Sequence, residues 1–286
     1  MKQNPSARDF GSFRDEGVGM MQQVKRFRAI LICLAVVYGM TMATAQSDPV
    51  IGISVTPGKF EAAMPPGTTY NVPITVTNTS ISSTHILASL ADFSLNLNGD
   101  YEFAKVGSQP YSILKWAAIR PREFDIAPST SQQVELSLAV PSDQTLSGEY
   151  AGVVFFQTRP ERGNKGVFFS ARVATKLYIT IQGTEKIDGA VTKMTSAKTS
   201  GGQSYRVVFK NTGNAHVYCR GQLTVQENGA VVYQVALPDN LLVERGGERL
   251  IQVVGKSLKP GTYQAIATLD YGGKTETGGE INFDVH

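Results

Sequence analysis

Short apolar runs that alternate with polar residues, separated by turns, are the feature that most restricts how this chain can fold. They follow one another from Val50 onward, as in residues 150–158 (YAGVVFFQT) and 173–182 (VATKLYITIQ). Val, Ile, Thr, Tyr and Phe dominate these runs, which is typical of half-buried strands. No stretch of this region has a sustained helical spacing of apolar residues. The sequence therefore predicts an all-β protein built from antiparallel sandwiches.

This strand pattern also repeats once along the chain. Residues 76–80 (VTNTS) are similar to residues 209–213 (FKNTG), and residues 146–152 (LSGEYAG) are similar to residues 258–265 (LKPGTYQA). Each pair places similar turn residues beside a strand, so we expect two tandem immunoglobulin-like β-sandwich domains. We interpret the asparagine shared by the first pair as a strand-end residue that tolerates a turn conformation, in preference to a glycosylation acceptor.

The N-terminal region has the three parts of a secretory signal. Residues 25–28 (KRFR) are basic, residues 29–42 are uncharged and mostly apolar, and residues 43–45 (ATA) provide a small-x-small cleavage site. The apolar part is shorter than the roughly 20 residues that a spanning helix needs. We therefore expect a signal peptide that is removed on export, with a retained membrane anchor as the alternative. Residues 1–19 are long for the region before such a signal, and a translation start at Met20 or Met21 is the alternative that would explain them.

Domain boundaries follow from the signal and from the polar interruption near residues 183–189. We predict a signal peptide over residues 1–45, a first sandwich over residues 46–184 and a second sandwich over residues 185–286.

The charge of the exported part gives no reason to expect a nucleic acid or an anionic membrane surface as partner. The first 45 residues hold six of the 27 Lys and Arg and three of the 24 Asp and Glu, so 21 of each sign remain. Cys33 lies in the signal segment, which leaves Cys219 as the single cysteine after cleavage. We expect no internal disulfide, and contact with a membrane only through the signal segment.

Catalytic and metal-binding motifs are missing from the sequence. His85, His216 and His286 are not spaced as metal ligands, and His216 and Cys219 would point to opposite faces of a strand. There is no nucleophile-elbow or phosphate-loop motif. Trp116 is the single tryptophan, which is few for a carbohydrate-binding site. We expect a protein that is not an enzyme and that uses no cofactor and no metal.

Four stretches of the first domain resemble the periplasmic chaperones of the chaperone–usher pilus-assembly family. They are residues 53–60 (ISVTPGKF), 120–136 (beginning with RPREFDIAP), 148–156 (GEYAGVVFF) and 168–178 (FFSARVATKLY). Their order and spacing carry the similarity, which covers roughly residues 50–184. It implies a periplasmic protein that lends the last strand of its first domain to another exported protein, a pilin-like or envelope subunit.

The same resemblance implies the site residues. Lys59 and Lys176 would bind the terminal carboxylate of the subunit, and a donor strand would present the apolar side chains of Val167, Phe169, Ala171 and Val173. The family usually has arginine where this chain has Lys59, so the planar fork is lost.

Both the second anchor residue and the function of the protein have alternatives. In a second alignment register, Tyr178 takes the place of the second anchor. The alternative function is a structural or adhesive cell-envelope protein with the same two-sandwich plan and no chaperone activity. A carbohydrate-binding domain is the third hypothesis.

Overall fold

The computed structural model of the chain describes residues 52–162 and 168–286. In these ranges no helix is long and apolar enough to cross a membrane. The predicted signal peptide and its alternative start sites lie outside the described residues, as does the donor residue Val167. The predicted domain boundaries therefore stay a prediction.

Twelve strands and one short 3-10 helix (Ile113–Lys115) form the first part of the described chain. The strands are β1 (Ile53–Thr56), β2 (Lys59–Met64), β3 (Thr69–Asn78), β4 (Thr84–Leu95), β5 (Tyr101–Ala104), β6 (Ala117–Arg120), β7 (Glu123–Ile126), β8 (Ser131–Ala139), β9 (Glu149–Thr158), β10 (Glu161–Arg162), β11 (Phe168–Phe169) and β12 (Arg172–Ile181).

Eight strands form the second part of the described chain. They are β13 (Gly189–Thr199), β14 (Gly202–Asn211), β15 (Val217–Glu227), β16 (Ala230–Ala236), β17 (Leu241–Val243), β18 (Glu248–Val254), β19 (Gly261–Asp270) and β20 (Thr277–Val285).

Two sheets of the first part face each other across one apolar core. One sheet has the strand order β1-β3-β8-β6, and the other has the order β2-β12-β9-β4-β5 with β7 beside β4. The period-two pattern explains the core, since alternate residues of β8 (Val134, Leu136, Leu138) are fully buried, while Gln133 and Glu135 are exposed and Ser137 is half-buried. All pairings within these two sheets are antiparallel except that of β12 with β2, which is parallel.

The second part repeats this arrangement around its own core. Its sheets have the orders β13-β14-β18 and β16-β15-β19-β20, with β17 beside β15. Alternate residues of β14 (Tyr205, Val207, Phe209) are fully buried in this core, which is separate from the first. The prediction of two tandem immunoglobulin-like sandwiches is therefore confirmed.

The asparagine of the repeated motif has the same role in both sandwiches. Asn78 ends β3 and Asn211 ends β14, both are fully buried, and each donates its side-chain amide to three backbone carbonyls. Neither residue has a positive φ. Hydrogen bonding to a buried turn, and not tolerance of an unusual backbone conformation, therefore explains the residue type at both positions.

Candidate functional site

Strand β12 has two halves with different neighbours. Antiparallel pairing with β9 extends from Arg172 to Thr180, but the parallel pairing with β2 begins only at Lys176. We call residues 172–175 the open half and residues 176–181 the paired half. On the side away from β9, no strand of the described chain pairs with the open half. Its unpaired backbone groups can accept an additional strand.

The loop before β2 determines where the open half ends. The backbone N–H of Lys176 donates to the Gly58 carbonyl at 3.1 Å, and the Thr175 hydroxyl donates to the Pro57 carbonyl at 2.7 Å. From Lys176 onward, β2 therefore occupies the edge that is free earlier in the strand.

The predicted donor residues follow the core-facing side of β12 and the segment before it. Ala171 and Val173 are partly buried against the first core. Phe169, in β11, is 46% exposed, and its neighbour Phe168 is 65% exposed. The structure therefore places an exposed aromatic pair directly before the open half, while Val173 already contributes to the core of its own sandwich.

The two predicted anchor lysines are direct neighbours, since Lys59 and Lys176 are partners in the parallel register of β2 and β12. The Lys176 ammonium donates to the Tyr101 hydroxyl at 3.2 Å and lies 4.9 Å from the centre of that ring. Within residues 52–162 and 168–286, no carboxylate forms an ion pair with it. Lys176 therefore has a positive charge that no described acidic side chain compensates.

Lys59, in contrast, already has an acidic partner. Its ammonium lies 2.8 Å from Glu61 Oε1 and donates to the Tyr218 hydroxyl at 2.7 Å. The hydrogen bond to Glu61 is the main cause that raises the pKa of Lys59. Burial opposes ionisation of Glu61, but hydrogen bonds from Lys59 and Tyr218 hold the pKa of this carboxyl below its usual value. Lys59 is thus charged at neutral pH, and Glu61 partly neutralises its charge.

The sequence analysis assigned no role beside the lysines to three residues of this cluster, which are Glu61, Tyr218 and His216. Tyr218 donates its hydroxyl to Glu61 Oε1 at 2.7 Å, and His216 Nε2 lies 3.4 Å from the same oxygen. His216 was considered only as a metal ligand with Cys219. No group of residues in the described ranges has the composition of a metal site. Cys219 is fully buried, and burial raises its pKa to about 12, so its thiol stays protonated in the core.

Carboxyl groups also connect the sheet that contains β12 to the second sandwich. His216 Nδ1 lies 2.5 Å from the buried carboxylate of Glu149. Glu244 Oε2 accepts the backbone N–H of Leu95 at 2.8 Å, and burial raises the pKa of Glu244 to about 7. Tyr178, the residue that replaces Lys176 in the alternative register, is buried beside this group, and burial raises its pKa. Tyr178 is therefore out of reach of a partner, whereas Lys176 is only half-buried.

No protein-family model matches the chain, and no curated protein matches it in sequence. Solved structures of pilus chaperones are similar to it. The class 5 fimbriae chaperone CfaA has 10% identity and a TM-score of 0.45, over 81% of this chain and 98% of that chain. The SafA pilin–SafB chaperone complex of Salmonella enterica gives 11% identity and a TM-score of 0.44, over 82% and 97% of the two chains.

A third similar structure comes from the archaic chaperone–usher Csu pili of Acinetobacter baumannii. This complex of CsuC with the tip subunit CsuE has 9% identity and a TM-score of 0.43, over 80% of this chain and 98% of that chain. All three similarities have low identities and TM-scores below 0.5.

Proposed function

We propose that this chain is a periplasmic, chaperone-like protein that captures another exported, pilin-like subunit by strand pairing. The observation that carries the proposal is the division of β12 into a paired half and an open half, with the uncompensated Lys176 at the point where they meet. A segment that pairs with the open half gains main-chain hydrogen bonds, as in other cases of β-augmentation. The chain acts by binding and performs no catalysis.

The positions of the two lysines support recognition of a chain terminus. A segment that pairs with residues 172–175 has to end near Lys176, because β2 occupies the edge beyond it. A carboxylate at that point would receive a charge-assisted hydrogen bond from the Lys176 ammonium. Lys59 lies opposite Lys176 and adds to the positive potential, but Glu61 and Tyr218 already bind its ammonium. We assign Lys176 the main role and Lys59 the smaller one.

The exposed Phe169 supports the second element of the proposal. Together with Ala171 and Val173 it forms the core-side row of the donor segment, and of the three it is the most exposed. A large apolar side chain left in solvent beside an open strand edge can fill a groove in a partner. Ala171 and Val173 contribute mainly by continuing the row.

A co-purification experiment with four variants of the exported protein tests the proposal. Tagged protein is recovered from the periplasm of its own organism, and the bound proteins are identified and quantified by mass spectrometry. With the wild type we expect to recover one exported subunit in an amount equal to that of the tagged protein. With Lys176→Asp and with Phe169→Asp we expect much less of this subunit.

Matched controls are available in the second sandwich. Lys193 is an exposed lysine of β13, and Val231 is an exposed apolar residue of β16. Lys193→Asp and Val231→Asp should leave recovery of the subunit unchanged. If Lys176→Asp and Phe169→Asp also leave it unchanged, the proposed mechanism is wrong.

The alternative function is a structural or adhesive envelope protein. The Lys59–Glu61 pair favours it, because an internal carboxylate already occupies one of the two anchors. This function predicts a stable association with the cell envelope that does not depend on Lys176. Fractionation of wild-type and Lys176→Asp cells distinguishes the two functions, since a chaperone would be found as a soluble complex that the substitution breaks.

A further inference from the structure

Arg172, at the start of the open half, is a second cation that lies on the same side of β12 as Lys176. Alternate residues of a strand share a face, so Arg172, Ala174 and Lys176 are on the side opposite the first core. On this side the sheet has a smaller aromatic cluster, which includes the buried Phe93, Phe155 and Tyr178. The sequence analysis gave Arg172 no role.

Aromatic rings hold both cations in place. The Arg172 guanidinium carbon lies 4.3 Å from the centre of the Phe155 ring and 5.8 Å from that of Phe103. Phe103 and Phe155 meet edge to face with their centres 4.8 Å apart. Lys176 lies over Tyr101 in the same way. Cation–π contact of this kind restricts a long side chain, so less conformational freedom is lost when it binds an anion.

Arg172 has no acidic partner of its own in the part of the chain that the structure describes. A guanidinium that stacks on a ring keeps its N–H edge free, and this edge fits a carboxylate through two parallel hydrogen bonds. The charge on this face of the open half is therefore complementary to an acidic ligand.

The direction of a captured segment follows from the position of β2. The segment must end where β2 begins, and its terminal carboxylate must reach Lys176, so it runs toward Lys176, parallel to β12. Residues before the terminus then lie along the open half, with Arg172 roughly 13 Å from Lys176 at the rise of a strand. Side chains of the segment that share the face of Arg172 are the ones that can reach it.

We propose that Arg172 selects captured segments that carry an Asp or Glu side chain two to four residues before their C-terminal residue. This inference rests on the proposed function, because it assumes that the segment pairs with the open half and ends at Lys176. It adds to that function a chemical requirement on the partner: a second carboxylate, provided by a side chain, in addition to the terminal one.

Synthetic peptides test the inference on the exported protein. Each is an extended peptide of alternating Val and Ser with a free C-terminal carboxylate. Three of them carry one Glu, at the second, third or fourth residue before the last, and three carry Gln at the same positions. Titration calorimetry measures their affinities for the wild type, for Arg172→Gln and for Arg206→Gln. Arg206 is an exposed arginine of β14 in the second sandwich and is the matched control.

We expect one Glu position to increase affinity about threefold to tenfold over its Gln counterpart, as is usual for an oriented but partly exposed ion pair. Arg172→Gln should remove this increase and leave the affinity of the Gln peptide unchanged. Arg206→Gln should preserve the increase. If Glu and Gln peptides bind equally at all three positions, or if the preference survives in Arg172→Gln, the inference is wrong.

A peptide with an amidated C-terminus separates this inference from the proposed function. Equal affinity of the amidated and free peptides, or no binding of any peptide at about 1 mM, would contradict capture at Lys176 and both proposals with it. Loss of affinity on amidation without any Glu preference would leave the proposed function intact and overturn only the role of Arg172.

Discussion

The two halves of β12 belong to one strand, pair with the same neighbour β9, and differ in what lies on their other side. The paired half (residues 176–181) is enclosed between β9 and β2, and Leu177, Ile179 and Ile181 are fully buried in the first core. The open half (residues 172–175) has a free edge, with exposed aromatic residues before it, Arg172 at its start and Lys176 directly after it. One strand thus stabilises the sandwich with one half and is available to a partner with the other.

Stability and binding are therefore assigned to different parts of one ten-residue strand. Substitutions of the core-facing residues of the paired half should act on the free energy of unfolding. Substitutions in and before the open half, and of Lys176 at the junction, should act on partner binding. The following predictions test this separation, beginning with the largest effect.

Ile179→Ala should cause the largest loss of stability. Ile179 is fully buried, and truncation of a buried isoleucine leaves a cavity that costs about 2–5 kcal/mol. Val173→Ala, in the open half, should cost less, because Val173 is only partly buried. Urea denaturation of the exported protein measures both. Equal losses at the two positions would contradict the division of the strand.

Glu244→Gln should change how the free energy of unfolding depends on pH. Glu244 lies at the contact between the two sandwiches, where it accepts the backbone N–H of Leu95. Burial raises the pKa of Glu244 to about 7, so between its usual value of 4.5 and 7 the folded protein keeps a proton that the unfolded chain releases. Stability of the wild type should therefore fall as pH rises through this window, by on the order of 3 kcal/mol at most. His216 and Glu149 lie in the same group of charges and remain in the variant.

Thermal unfolding at pH 5 and pH 8 measures this dependence. The glutamine can still accept the Leu95 N–H, so Glu244→Gln should unfold at a higher temperature than the wild type at pH 8 and at a similar temperature at pH 5. If both proteins lose stability equally between these pH values, Glu244 is not the titrating group.

Phe169→Ser should have the smallest effect on stability and a large effect on binding. Phe169 is 46% exposed, and substitutions of exposed residues usually change the free energy of unfolding by less than about 0.5 kcal/mol. Denaturation and subunit recovery are measured on the same preparation. A variant that unfolds much more easily would show that the segment before β12 is part of the sandwich.

The sequence predicted the fold because the period-two pattern is local. Alternate residues of β8 and β14 are apolar, and each set points to a core, so the existence of two sandwiches follows from the chain itself. Only the resemblance to the chaperone–usher chaperones indicated that Lys59 and Lys176 would act at one site. The structure shows the direct reason, which is the parallel register of two strands far apart in sequence.

The surroundings of these lysines could not be predicted in the same way. Tyr218 is 157 residues from Glu61 and 159 from Lys59, and no local pattern indicates that a strand of the second sandwich meets β2. The point at which β2 begins to pair with β12 is equally non-local, and it alone divides β12 into two halves. Arg172 was overlooked because its partners, Phe103 and Phe155, lie on two other strands.

Hydrogen exchange along β12, with and without the captured subunit, shows whether the partner pairs with the open half. In the free protein, backbone amides of the paired half should exchange slowly, because the half is enclosed on both sides. Amides of the open half that point away from β9 should exchange rapidly. Binding of the subunit should slow exchange of those amides and leave the paired half unchanged. Formation of the complex without any new protection in residues 172–175 would contradict the account.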